Sequence, residues 1–320
     1  MNLLPFLLIG TLSVLCAEVY SGASQAWFID AWGLLIVLPL YLSHLLFFLN
    51  IAFRIKKTSL LQLYFFGAIF ALYESWVTKV LWYGYPNATV QASTFLGIAY
   101  SEFSTLVFYW HPVMAFILPI LIFEILTGKV LKTHLMQKSR NKTILLTVAA
   151  ISVALFNTNG SQYNIVLSNL AIIGSMILVM FLSKILPKDA TIYSLKLNNK
   201  KFILLTLYIL LLYGVTFFVL LPERIPTTPL PIIIILLIYT IFIAILSKSK
   251  PVEEKLVETN EGYTKKDLLK FGALTIVSAN IFCIFPALAQ AGILAIFLIM
   301  TLGAPILFIR NLVRISSKKN

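Results

Sequence analysis

Apolar runs recur along all 320 residues, separated by short polar segments. A helix needs about 20 apolar residues to cross a hydrocarbon core ~30 Å thick. Spans are predicted at about residues 3–17, 31–53 and 59–81, then 143–156, 165–183, 202–221, a run ending near 246, 268–285 and 292–309. One further stretch, 98–126, is too long for a single untilted span and contains Pro112 and Pro119. Pro112 biases His111 away from helical geometry. A break or kink is therefore expected there, with an interfacial or half-inserted piece before it and the fourth helix after it. The predicted fold class is all-α, a polytopic integral membrane protein of about ten transmembrane helices. It reads as one membrane domain, 1–320, with a polar N-terminal bundle (1–127, helices one to four) and an Ile/Leu-rich bundle (143–320, helices five to ten). Residues 247–267 read as a solvated cytoplasmic linker.

Composition supports this. Hydrophobic residues make up 60% and charged residues 12% of the chain, against about 25% charged in soluble domains. Mean hydropathy is +0.94. A net charge of +13 in a soluble chain would suggest nucleic acid. Here, however, only Lys79 and Arg224 of the 25 bases fall outside alternate inter-helix segments, the foot of helix nine and the C-terminal tail. That is the positive-inside pattern, so nucleic acid is excluded and both termini are predicted to be cytoplasmic in a multi-pass protein of the cell membrane.

The two cysteines, Cys16 and Cys283, are too few for a disulfide framework or a four-Cys metal site. Both read as small buried hydrophobes, with a single bridge left open. The three histidines (His44, His111, His134) lie in different segments, so no metal site is predicted, and no motif calls for a cofactor. Asn87-Ala88-Thr89 and Asn159-Gly160-Ser161 are glycosylation triplets on predicted outer loops, close to the membrane.

The candidate chemistry is concentrated at one end of the chain. Glu18, Asp30, His44, Glu74, Lys79, Glu102, His111 and Glu124 all precede residue 127. Glu74 is the sharpest of these, about 21 Å into the third span. A carboxylate at that depth costs roughly 2.5–3.5 kcal/mol on insertion scales, so it needs a partner, a proton or a water-filled cavity. Lys79 follows five residues on, about 140° around a regular helix, so the two should not pair directly. Its stem should snorkel to the interface, and Glu124 should find Lys129. The functional reading is an outward-facing pocket in which Glu74, Glu102 and His111 are acid–base groups. Glu74, Lys79, Glu102, Trp76 and Tyr109 would bind substrate there. The structural reading makes Glu74 and Thr78 an interhelix contact, Lys79 an anchor and His111 an interfacial cap.

Ten helices, short loops and both termini inside suit a secondary transporter or permease for a small polar or amphiphilic solute, coupled to protons through Glu74 or Glu102. The alternative is an intramembrane enzyme using Glu74, Glu102 and His111 on a lipid-linked substrate at the outer leaflet. A non-catalytic scaffold is the third reading. The partners implied are the lipid bilayer and a small-molecule or lipid-like substrate. Neither enzyme status nor oligomeric state follows from the sequence.

Overall fold

The computed structural model describes residues 3–85, 94–259 and 262–317. The Asn87 glycosylation triplet therefore lies outside the described residues. The chain is a multi-pass all-α membrane protein. Among the described residues eight helices are long and apolar enough to cross a bilayer: Gly33–Arg54, Tyr100–Thr127, Arg140–Gly160, Ile165–Ile185, Asn199–Val219, Leu230–Lys248, Lys265–Ile284 and Pro286–Ser317. The other two predicted spans are shorter. The first is Leu4–Val19, and the third reduces to Leu60–Ala71 followed by two single turns, Tyr73–Trp76 and Val80–Tyr83. Side chains start several of these helices. Ser59 and Gln62 form a capping box, and Asn164 accepts the Val166 and Leu167 N–H groups, each at 3.0 Å.

The chain divides into two compact units, each drawn from the N-terminal, middle and C-terminal parts of the sequence. The first comprises Met1–Leu45, Leu118–Lys196 and Glu254–Ile299. In it Leu4–Val14 packs against Ile165–Ile185 and Leu118–Thr127, and Lys265–Ile284 packs against Arg140–Gly160. Asn169 and Asn280 exchange amide hydrogen bonds of 2.9 and 3.0 Å between their helices.

Two expectations are corrected in this unit. Residues 157–160 were predicted as an outer turn, yet the helix continues to Gly160. Asn157 is buried, donates to Val19 C=O at 2.8 Å and accepts from Ser168 Oγ at 2.7 Å, so packing overrides its turn preference. The second correction concerns the linker. Leu256–Glu258 pairs antiparallel with Lys129–Leu131, so its backbone groups are satisfied by a partner strand rather than by water alone.

The second unit comprises Leu46–Ile117, Leu197–Glu253 and Met300–Asn320. Its core is the packing of Leu60–Ala71 on Leu106–Ile117, with Phe66, Phe70 and Phe116 buried along it. Here the irregularity expected at Pro112 is a bulge in a continuous helix and not a break. The helix runs on through His111 and Pro112 in wide π-type winding from Leu106 to Ile117. The wider winding relieves the clash of the proline ring with the preceding turn, and Phe108 C=O, four residues back, accepts from Tyr64 Oη at 2.6 Å, so the chain bulges and does not break.

The two segments approach closely at Gly67. A Cβ added there would sit 2.5 Å from Pro112 Cα. Gly67→Ala should therefore force backbone apart at a cost of about 1–3 kcal/mol, read as a lower melting temperature in detergent. An unchanged melting temperature would contradict this contact.

Candidate functional site

The segment from Leu72 to Tyr83 carries the site. Its helix ends after Ala71, makes one turn at Tyr73–Trp76, and reverses at Lys79, whose φ of 57° is left-handed. Such a backbone is costly for a lysine and persists only where its surroundings hold it. Those surroundings are polar partners inside an apolar unit.

Glu74 is buried, and its Oε1 lies 3.1 Å from Nε2 of His111, which is 1% exposed. Its other oxygen accepts from Thr78 Oγ, and Tyr73 also hydrogen-bonds to it. The His111 ring is edge-on to Tyr73 at 5.2 Å and tilted against Phe70 at 5.4 Å. A lone carboxylate here would be unstable, and so would a lone imidazolium. Together they can hold one proton between them.

A second layer joins from other helices. Trp76 Nε1 donates to Tyr239 Oη at 3.2 Å, with Tyr213 near Tyr239 on the neighbouring helix. Sequence reasoning did not select these tyrosines. They lie in the Asn199–Val219 and Leu230–Lys248 helices, in strongly apolar runs without a local polar signal.

The other candidates go elsewhere. Lys79 does not snorkel: it is fully buried, 0% exposed. It donates to Thr216 C=O at 2.8 Å, to Leu220 C=O and to Val77 C=O at 3.3 Å, with its ammonium 5.6 Å from the Phe217 ring. Thr216 C=O also accepts the Leu220 N–H at 3.0 Å, whereas Leu220 C=O lies past the helix end; the helix dipole makes that end negative, so a lysine fits there. Lys79 is therefore a cap on a neighbouring helix. Lys57 does the same for Leu230–Lys248, donating to Leu246 and Ser247 C=O.

Glu102 is buried beside Gly84 and accepts from Ser101 Oγ at 2.5 Å. Among the described residues no hydrogen bond joins it to Glu74 or His111. Tyr109 is half-buried next to Trp110.

The first unit holds a further buried acid, Glu124, and the half-buried Glu18. Glu124 does not pair with Lys129. Its Oε2 meets Nδ1 of His134 at 2.9 Å, and its Oε1 accepts the Leu131 N–H at 3.1 Å. The chain after Gly128 folds back over the helix end and brings His134 inside, where only 2% of it is exposed. Nearby, burial and the acids Glu254 and Glu124 push the Tyr193 phenol up to about 12, so it stays a neutral donor to Glu254 C=O at 3.0 Å. Glu18 accepts from Tyr41 Oη at 2.5 Å and from Ser24 Oγ at 2.8 Å. His44 Nδ1 is 2.7 Å from Leu40 C=O, a bond within its own helix. Both cysteines are free thiols, with Cys16 buried. Among the described residues no three His, Cys, Asp or Glu side chains cluster as metal ligands do.

Residues 7–316 match the family described as "Uncharacterized membrane protein family". A curated relative from Archaeoglobus fulgidus, named "Uncharacterized protein", is 42% identical over 156 residues, 47% of this chain and 49% of the relative. The chain thus matches about half the length of that relative. No solved structure matches the chain.

Proposed function

The chain belongs to the Uncharacterized membrane protein family, and from that premise we propose that it is a proton-coupled carrier of a small polar or amphiphilic solute. Glu74 and His111 are the pair that takes up and returns the proton. One observation carries this reading: a carboxylate and an imidazole 3.1 Å apart, both buried, in an otherwise apolar packing layer. Ionisable groups are costly in a membrane segment and are found there chiefly where ions, protons or substrates pass. The tyrosine pair beside them supplies hydroxyls that can pass a proton along.

The test is solute-driven proton movement. Purified protein in vesicles with an internal pH dye should acidify the lumen when one solute from a panel of carboxylates, amino acids, nucleosides, sugars and short amphiphiles is added outside. Proton flux with no dependence on any solute would overturn the carrier reading. Turnover of a lipid-linked substrate without solute flux would replace it by the intramembrane enzyme.

In this reading the carrier lies in the cell membrane with both termini cytoplasmic. Single cysteines at Asn159 or Thr228, in a background with Cys16 and Cys283 replaced by alanine, should react with an impermeant thiol reagent added to intact cells. Cysteines at Lys142, Lys188 or Lys255 should react only after lysis. Reversed labelling at any two positions contradicts the orientation.

A further inference from the structure

We infer that the outer end of the second unit holds a binding site for a zwitterion, a solute with an ammonium group and an oxyanion group on one short frame. Glu102 takes the ammonium and Arg224 the oxyanion, and both side chains touch Gly84. This rests on the carrier reading for its purpose, since it names the class of solute, but not for its geometry.

Three short segments of the second unit meet at Gly84. The single turn Val80–Tyr83 packs on the strand Ile98–Ala99 and on Tyr100–Thr105, the start of the helix that carries Glu102. Gly97 turns the hairpin between Thr94–Phe95 and Ile98–Ala99, and a Cβ added to it would lie 2.3 Å from Pro231 Cγ. That contact brings the hairpin to the helix that follows the turn Pro222–Arg224. The turn folds back at Leu221, whose φ of 50° is left-handed, and Arg224 Nη1 donates to Gly84 C=O at 3.0 Å. Gly84 meets the carboxylate as well: a Cβ added there would lie 3.0 Å from Glu102 Oε1. Its φ of 75° suits glycine alone, so this junction needs both the conformation and the missing side chain.

Neither charge is neutralised. Only 7% of Glu102 is exposed, and it accepts from the neutral hydroxyl of Ser101. Among the described residues no basic side chain forms an ion pair with it. A first helical turn suits a carboxylate, but an exposed one would serve the helix dipole as well. Burying the charge without a cation is costly. Arg224 is half-buried, spends one donor on Gly84 and leaves the rest of its guanidinium fork unmade among the described residues. The neighbouring acid, Glu223, is exposed and forms no ion pair with it. Two opposite charges thus touch one glycine without pairing with each other.

A zwitterion fits such a pair better than a single ion. A lone ammonium would satisfy Glu102 but meet repulsion from Arg224, and a lone oxyanion the reverse. A zwitterion places both charges at once and leaves the site without an unpaired group. The surroundings agree. Tyr83 and Tyr85 flank Gly84, Tyr100 precedes Glu102, and all three rings are exposed, offering faces that favour an ammonium. Two residues before Gly84, Trp82 Nε1 is buried and makes no hydrogen bond among the described residues, so the same turn holds a further unmade donor. The frame can be that of an α-amino acid or of an aminophospholipid head group, which share this chemistry.

Ligands stripped of one charge test the site on the native full-length protein in detergent. Calorimetric binding is measured for a panel of L-amino acids and for glycerophosphoethanolamine, the head group without its chains. Each is compared with its singly charged counterparts: for leucine, isoamylamine and 4-methylpentanoate; for the head group, ethanolamine and glycerol phosphate. At least one zwitterion should bind, and removing either charge from it should weaken binding roughly 10- to 100-fold, the worth of one charge-assisted hydrogen bond. In Glu102→Gln the zwitterion should bind no better than its acid, and in Arg224→Gln no better than its amine. Binding confined to amino acids or to the head group identifies the source. No zwitterion bound by the native protein, or singly charged counterparts bound equally well, overturns the site, and neither result depends on a variant that folds. Zwitterion binding without solute-driven proton movement keeps the site and removes the carrier. Proton movement driven by a singly charged solute and unchanged by either substitution keeps the carrier and removes the site.

Discussion

Glu74→Gln should fold, express and melt like the native protein, and should lose solute-coupled proton uptake altogether. The amide keeps the size of the carboxyl and can still meet His111 and accept from Thr78. The base it leaves behind is an imidazole, which can shed its proton, so no stranded charge remains to unfold the site. What the amide cannot do is take and return a proton. Retained coupling would remove Glu74 from the mechanism. Poor folding would show that the carboxylate is a structural ion-pair partner. His111→Asn should act in the same direction, since half of a shared proton site cannot cycle.

Lys79→Met carries the largest expected cost in stability. Methionine fills a similar volume but offers no donors. The carbonyls of Thr216 and Leu220 at the end of Asn199–Val219 would then lose their charged cap. Thr216 C=O keeps the Leu220 N–H at 3.0 Å, but Leu220 C=O is left unmade at about 1–3 kcal/mol and the charge-assisted bond to Thr216 is lost besides, so the variant should lose roughly 2–4 kcal/mol in reversible unfolding from detergent. Lys79→Gln, which keeps two amide donors, should recover part of it. Full stability in Lys79→Met would show that the lysine is held for its charge at the site and not for the helix end.

Much of this molecule could be read from hydrophobic runs alone. A span needs only length and apolarity, and the eight long helices advertise both. Glu74 and His111 were also legible, because an ionisable residue in an apolar run is an anomaly wherever it lies. Their pairing was not. It depends on Leu60–Ala71 seating on Leu106–Ile117 across the contact at Gly67 and Pro112. Pro112 marked an irregular stretch but not a break, for a physical reason: proline disfavours helix before it, but π-type winding gives the chain a way through.

Lys79 was misplaced because a regular helix was assumed across 59–81. A left-handed lysine has no sequence signature; its conformation is fixed by the carbonyls it finds on another helix. Tyr213 and Tyr239 illustrate the converse. In an aliphatic run a tyrosine is an ordinary residue until folding sets a second hydroxyl beside it. His134 lies in the segment between the fourth and fifth predicted helices, yet it is buried against Glu124, which also accepts the Leu131 N–H after the fold-back at Gly128.

The shared proton at Glu74 and His111 is the claim on which the functional account stands. Histidine-selective NMR across pH tests it directly, since the chain has only three histidines, His44, His111 and His134. If Glu74 and His111 titrate as one unit, Glu74→Gln should displace the His111 titration curve and leave those of His44 and His134 where they were. A His111 curve that superimposes on the native one would contradict the account.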